Sequence, residues 1–142
     1  MKLALVEAQS ALTKNEVPVG AVIVKDNLIV GRGHNLVETM KDPSAHAEMI
    51  ALSAACSTIE NKYLKGCTLY VTLEPCPMCA GALVWSKISR IVIGSLDANA
   101  GACGSLFNLT NHNKLNHKVE VIHSILEDEC SSLLTNFFRK KR

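Results

Sequence analysis

Apolar residues recur along the chain at two periods, and the alternation between them divides it into helices and strands. Residues 2–14 set Leu3, Val6, Ala8 and Leu12 near helical spacing, which predicts an amphipathic first helix with these four on its apolar face. Residues 19–24 and 28–30 are two short apolar runs on either side of Lys25-Asp26-Asn27, the pattern of a β-hairpin. A polar loop ends at Asp42-Pro43-Ser44. Pro43 holds Asp42 extended and Ser44 can cap, so a helix is predicted from Ala45 to about Ser57. Residues 67–72 read as a strand by their β-branched and aromatic content, ended by Pro75 and Pro77. Residues 78–86 read as a second core helix and 88–93 as the next strand. Residues 94–118 are rich in Gly, Asn and Ser, with one short helical turn predicted around Leu106, Phe107 and Leu109. A last strand over 119–122 and a last helix over 125–139 complete the order α-β-β-α-β-α-β-β-α.

That order implies an α/β fold, a sheet covered by helices on both faces. No linker, repeat or low-complexity stretch interrupts it, so the 142 residues are expected to form a single domain. Hydrophobic residues make up 48% and charged residues 20%, the balance of a globular protein. No apolar run approaches the roughly 18 residues that span a bilayer. The first six residues turn polar at Glu7, without the apolar stretch and cleavage site of a secretion signal. A cytoplasmic location is the expectation.

The formal net charge is +2, but its distribution matters more. The chain ends on four basic residues, Arg139-Lys140-Lys141-Arg142, and without them acidic side chains outnumber basic ones. This is a basic patch on a near-neutral body, suited to a phosphate contact or simply to a solvated end. Cys56, Cys67, Cys103 and Cys130 lie among apolar or small residues and are expected to pack as small hydrophobes. Cys76 and Cys79 are different.

These two cysteines stand at i and i+3 in Glu74-Pro75-Cys76-Pro77-Met78-Cys79, at the start of a predicted helix. That spacing puts both thiols on one face, with Pro77 at the first helical position and Cys76 at the cap. The helix dipole should lower both thiol pKa values towards the thiolates a metal needs. A third ligand is available in His46 of His46-Ala47-Glu48, also at a helix start. Three protein ligands with a fourth position open to water form the pattern of catalytic zinc, whereas structural sites are closed by a fourth residue. Zinc brings its water towards a pKa of about 7, and Glu48 is placed to shuttle protons. One geometric difficulty attends Glu48. Residues i and i+2 point to nearly opposite sides of an ideal helix.

Either motif alone is ambiguous. A Cys-x-x-Cys can be a redox pair or half of a structural zinc site, and a histidine before a helix often caps or packs. Together, H-x-E followed by P-C-x-x-C is the compound signature of the zinc nucleobase deaminases. At these residues the sequence resembles the bacterial tRNA-specific adenosine deaminases, within the cytidine deaminase-like superfamily. The resemblance runs over nearly the whole chain. It includes Glu16-Val17-Pro18-Val19-Gly20, Asp42-Pro43-Ser44-Ala45-His46-Ala47-Glu48 and Leu69-Tyr70-Val71-Thr72-Leu73-Glu74-Pro75-Cys76. Gly101-Ala102-Cys103-Gly104-Ser105-Leu106, Asn116-His117-Lys118-Val119 and Phe137-Phe138-Arg139 resemble the tRNA-editing branch in particular.

The resemblance implies a three-layer α/β/α fold around a five-stranded mixed sheet, and one Zn2+ on His46, Cys76 and Cys79 with Glu48 as the proton shuttle. It implies that Asn35 contacts a flipped nucleotide and that Asp97 lies near its ribose and phosphate. Phe137, Phe138 and Arg139 match a terminal helix that touches a tRNA anticodon loop, although core packing is the better account of one of the two rings. The loop at Asn111-His112-Asn113 departs from the family pattern, which often carries a second His and a Pro there. The implied reaction is hydrolytic conversion of adenosine to inosine at the wobble position, by a homodimer whose partner subunit helps shape the site. Two rivals remain: a deaminase of free guanine, cytidine or a related compound, and a zinc-stabilised nucleic-acid-binding module without catalysis. Glu48 and the open coordination position argue against the second.

Overall fold

The computed structural model describes residues 1–142. In chain order its elements are α1 (Lys2–Thr13), β1 (Gly20–Lys25), β2 (Leu28–His34), α2 (Val37–Met40), α3 (Ala47–Ile59), β3 (Thr68–Leu73), α4 (Pro77–Trp85), β4 (Arg90–Ser95), β5 (Glu120–Ile122) and α5 (Glu127–Lys140). The five strands form one mixed sheet in the order β2-β1-β3-β4-β5. β1 runs antiparallel to both β2 and β3, while β3, β4 and β5 are parallel. α1 and α5 meet on one face and α3 and α4 on the other, giving the three-layer α/β/α arrangement. No helix is long and apolar enough to cross a membrane.

Small residues set the spacing between layers. α3 lays Ala47, Ala51 and Ala55, all fully buried, against Gly31 and Gly33 of β2. A Cβ on Gly31 would run into the Ala51 carbonyl, and one on Gly33 into that of Ala47, so helix backbone packs directly on strand backbone. On the opposite face Gly20 meets Ala4 and Ala8 of α1 in the same way. This close approach corrects the expected face of α1. Its buried residues are Ala4, Glu7, Ala8 and Ala11, and of the predicted stripe only Ala8 is among them. Leu3, Val6 and Leu12 stay exposed because their bulk cannot enter the gap that Gly20 defines.

Three further expectations change. The polar stretch after β2 contains the one-turn helix α2, whose Glu38 and Thr39 N–H groups donate to the buried Glu16 carboxylate. The side chain thereby satisfies donors that a helix start leaves free. Ser44 does not cap α3. Its N–H and Oγ–H both donate to Asp42 Oδ1, forming a local turn, and the helix begins two residues later with His46 at the cap position. Leu106, Phe107 and Leu109 form no helical turn. There the chain folds back through Gly104, at φ 134°, into an isolated bridge between Cys103 and Asn108. α5 has the charge pattern its dipole favours, with Glu127, Asp128 and Glu129 in the first turn and Arg139 and Lys140 in the last.

Candidate metal centre and active site

α3 and α4 pack together and bring their N-termini to the same end of the sheet, beyond the carboxyl end of β3. Each helix starts on a metal-ligating residue type. His46 precedes α3 with φ −76° and ψ 153°, and Cys76 precedes α4 with φ −72° and ψ 173°, so both are extended caps rather than helical residues. Pro77 takes the first helical position and Cys79 lies in the first turn, as the spacing predicts. The extended backbone at His46 also removes the difficulty over Glu48. The angular rule for i and i+2 applies within a helix, and His46 stands outside it. From the second residue of α3, Glu48 therefore lines the same cavity as His46.

The three ligand atoms converge. His46 Nδ1 lies 3.6 Å from Cys76 Sγ and 3.5 Å from Cys79 Sγ, and all three atoms fall within 4.8 Å of one another. A tetrahedral zinc, with Zn–N about 2.0–2.1 Å and Zn–S about 2.3 Å, separates nitrogen from sulfur by roughly 3.5–3.6 Å. The tripod fits that ion without rearrangement. No fourth His, Cys, Asp or Glu joins the group, so the protein supplies three ligands. Nδ1, rather than Nε2, is the histidine donor, an assignment spacing could not supply.

The electrostatics of the site follow from its burial. Desolvation pushes the Glu48 carboxyl up to about 7, with His46 pulling the other way. A carboxyl balanced between its two forms at neutral pH is suited to passing protons. The two thiols do not respond alike, as the dipole argument alone would have them do. Hydrogen bonding from Cys79 holds Cys76 down at about 4, while the same contact and burial push Cys79 up. Two adjacent sulfurs cannot both carry charge unless a cation lies between them, and zinc supplies that cation.

A cavity of about 350 Å³ opens above the tripod and is lined by Asn35, His46, Glu48, Cys76 and Asp97 among others. Asn35 is buried just beyond β2, where its Nδ2 donates to the Val17 carbonyl and its Oδ1 accepts from Val37 N–H. Asp97 is half-buried after β4, and its Oδ1 accepts from the N–H groups of Asn99 and Ala100. Phe137, Phe138 and Arg139 lie outside this cavity. Phe137 is only 6% exposed and packs edge-on against Phe138, which is 48% exposed. One ring is thus core and the other surface. The pair lines a separate shallow groove with Lys14, Asn15 and Lys141, and this groove shares Val17 and Glu38 with the cavity rim.

Two further acidic residues stand in the runs that carry the resemblance, yet the sequence reading gives neither of them a role. Glu16 and Glu74 are both buried, and each accepts several hydrogen bonds beside the cavity, Glu16 from α2 and Glu74 from the loop after β4. Burial would raise both carboxyls, yet those bonds hold both below the usual range. A charged residue set directly against a core run, as in Glu16-Val17-Pro18-Val19 and Leu73-Glu74-Pro75, is the one signal that could mark them.

Residues 1–95 match the cytidine and deoxycytidylate deaminase zinc-binding region. Over its full length the chain is 51% identical to the tRNA-specific adenosine deaminase of Aquifex aeolicus (strain VF5), covering 93% of that protein. It is 48% identical to the enzyme of the same name from Bacillus subtilis (strain 168), covering 88% of it. The chain belongs to the tRNA-specific adenosine deaminase family. A solved structure from work on A-to-I editing by tRNA deaminases at the wobble position superposes on the deaminase with a TM-score of 0.91. That structure is 39% identical, and the match covers 94% of this chain and 97% of the other. The His46, Cys76 and Cys79 tripod of this hydrolase is accordingly a site for one Zn2+ per chain.

Purified deaminase should contain about one zinc per chain by elemental analysis, the stoichiometry of a single three-ligand site. Cys76→Ala and Cys79→Ala should each lose metal and activity together. Unchanged metal content in both variants would contradict the assignment.

Proposed function

We propose that the protein converts adenosine to inosine at the wobble position of a tRNA anticodon, as one deaminase domain spanning residues 1–142. The observation that carries this reading is the meeting of an open three-ligand tripod with a buried carboxyl, Glu48, in a cavity sized for one nucleotide. An anticodon loop presents its bases largely unpaired, so extruding one costs less than from a duplex. When bound, Zn2+ supplies a Lewis acid that makes water acidic enough to yield a nucleophile at neutral pH.

The protein's own groups do the rest. Glu48 takes a proton from the attacking water and delivers it to N1 of adenine as oxygen bonds to C6. It then carries the water's second proton to the exocyclic amine, the C6–N bond breaks, and ammonia leaves. Atoms balance as adenosine plus water to inosine plus ammonia. Asn35 fixes the base from the β2 side of the cavity, and Asp97 meets the ribose and phosphate from the β4 side. On the adjoining groove Phe138 provides a stacking face and Lys141 a phosphate contact, buried Phe137 supports Phe138, and Arg139 with the other terminal basic residues adds phosphate contacts beside the groove. The working unit is a homodimer in the cytoplasm. Support for the dimer comes from the large apolar side chains left exposed on α4, Met78 at 38% and Trp85 at 74%, with Leu106 and Phe107 exposed in the loop after β4.

Glu48→Ala should keep zinc and still bind the RNA while losing turnover by a factor on the order of 10² or more, the loss typical of a removed general acid/base. Normal turnover would refute the role, and loss of zinc would make Glu48 a ligand. The substrate class is tested with an unmodified anticodon stem-loop carrying a wobble adenosine, followed by inosine detection. Activity on it is expected, with little or none on free adenosine, cytidine or guanine. Deleting residues 139–142 should weaken RNA binding and flatten its salt dependence while leaving zinc content intact, since each lost phosphate contact reduces the slope. Robust turnover of a free base, indifferent to the deletion, would assign the protein to small-molecule deamination instead.

A further inference from the structure

Asp97 and Ala100 reach the cavity from a stretch, residues 96–107, that contains no helix and no strand. One buried side chain ties it down at three residues. The Glu74 carboxylate, 2% exposed, accepts from Asp97 N–H at 2.9 Å and from the Ser105 hydroxyl through Oε2. Through Oε1 it accepts from Cys103 N–H at 3.0 Å and Ser105 N–H at 3.1 Å. Beside these bonds, Ala102 N–H donates to the Pro75 carbonyl at 2.9 Å and Gly101 N–H to the Asp97 carbonyl at 2.8 Å. The loop lies so close on the carboxylate that a Cβ on Gly101 would fall on Glu74 Oε2.

This is a costly way to hold a loop. A buried carboxylate demands compensation, and no salt bridge in the protein involves Glu74. Backbone and hydroxyl donors carry the whole charge. What the arrangement achieves is a rigid link between two parts of the site. Glu74 stands two residues before the ligand Cys76, and it grips Asp97 by its own N–H. The Asp97 side chain is in turn held by the Asn99 and Ala100 N–H groups of the same loop.

We propose that Glu74 is a positioning residue for the deamination reaction, locking Asp97 at a fixed place relative to the metal tripod and acting on the substrate through it. The assignment rests on the reading that Asp97 meets the nucleotide. Glu74→Gln keeps the shape but turns an NH2 towards the donors on one side of the carboxylate, so the bonds on that side are lost. The test compares wild type, Glu74→Gln, Asp97→Ala and the double variant, each zinc-loaded. It reads kcat and KM on the anticodon stem-loop, zinc content and thermal unfolding.

Glu74→Gln should keep about one zinc per chain and a cooperative unfolding transition, yet lose about tenfold or more in kcat/KM, a loss of the size carried by one well-placed contact. In the Asp97→Ala background the same substitution should cost less than about threefold, because residues acting in series are not additive. An equal loss in both backgrounds, or none in either, overturns the proposal. Should Glu74→Gln fail to fold, Ser105→Ala, which removes only the hydroxyl donor at an exposed position, decides by the same comparison. An Asp97→Ala variant with full activity removes the basis for the positioning role while leaving the deaminase activity standing. Absence of activity in the wild type would fail the broader reading instead.

Discussion

Everything chemical in this protein depends on two helix N-termini being held at one point. His46 and Cys76 are extended caps on different helices, far apart in sequence, yet their ligand atoms are 3.6 Å apart. α3 could not take that position if it were spaced from the sheet by ordinary side chains. Ala47, Ala51 and Ala55 against Gly31 and Gly33 draw α3 onto the sheet backbone. β3, paired along its length with β1 and β4, fixes where Pro75 and Cys76 emerge. The residues with the least chemistry of their own thus determine where the metal ligands stand.

Three buried carboxyls divide the remaining work, and their surroundings separate them. Glu48 has few donors near it and burial dominates, which raises its pKa and leaves it able to exchange a proton. Glu16 and Glu74 are as deeply buried, but each is surrounded by backbone N–H groups and a hydroxyl that hold it ionised. Glu16 grips the rim at α2 and Glu74 the opposite rim at Asp97. The cavity is therefore framed by two anions, around a carboxyl poised to exchange a proton. Burial pushes all three carboxyls up, and at Glu16 and Glu74 the surrounding donors outweigh it.

Much of this is legible in the sequence. The alternation of periods yields the five strands to within a few residues, because β-branched runs bounded by turn residues have little other use. The tripod and Glu48 are legible because metal ligands are rare residue types in a fixed local spacing. The buried face of α1 is not, since periodicity locates a stripe but says nothing of how close the neighbouring backbone comes. Ser44 has the look of a cap, yet Asp42 competes for it, a local contest that spacing does not rank. The roles of Glu16 and Glu74 depend on N–H groups more than twenty residues away, and no local pattern announces such partners.

His46, Cys76 and Cys79 would hold the metal with a fourth position left open to water. Zinc K-edge X-ray absorption on the purified protein measures this directly. Two sulfur scatterers are expected at about 2.3 Å and two nitrogen or oxygen scatterers at about 2.0–2.1 Å, one from His46 and one from solvent. A shell of three or four sulfurs, or zinc without sulfur, would contradict this coordination.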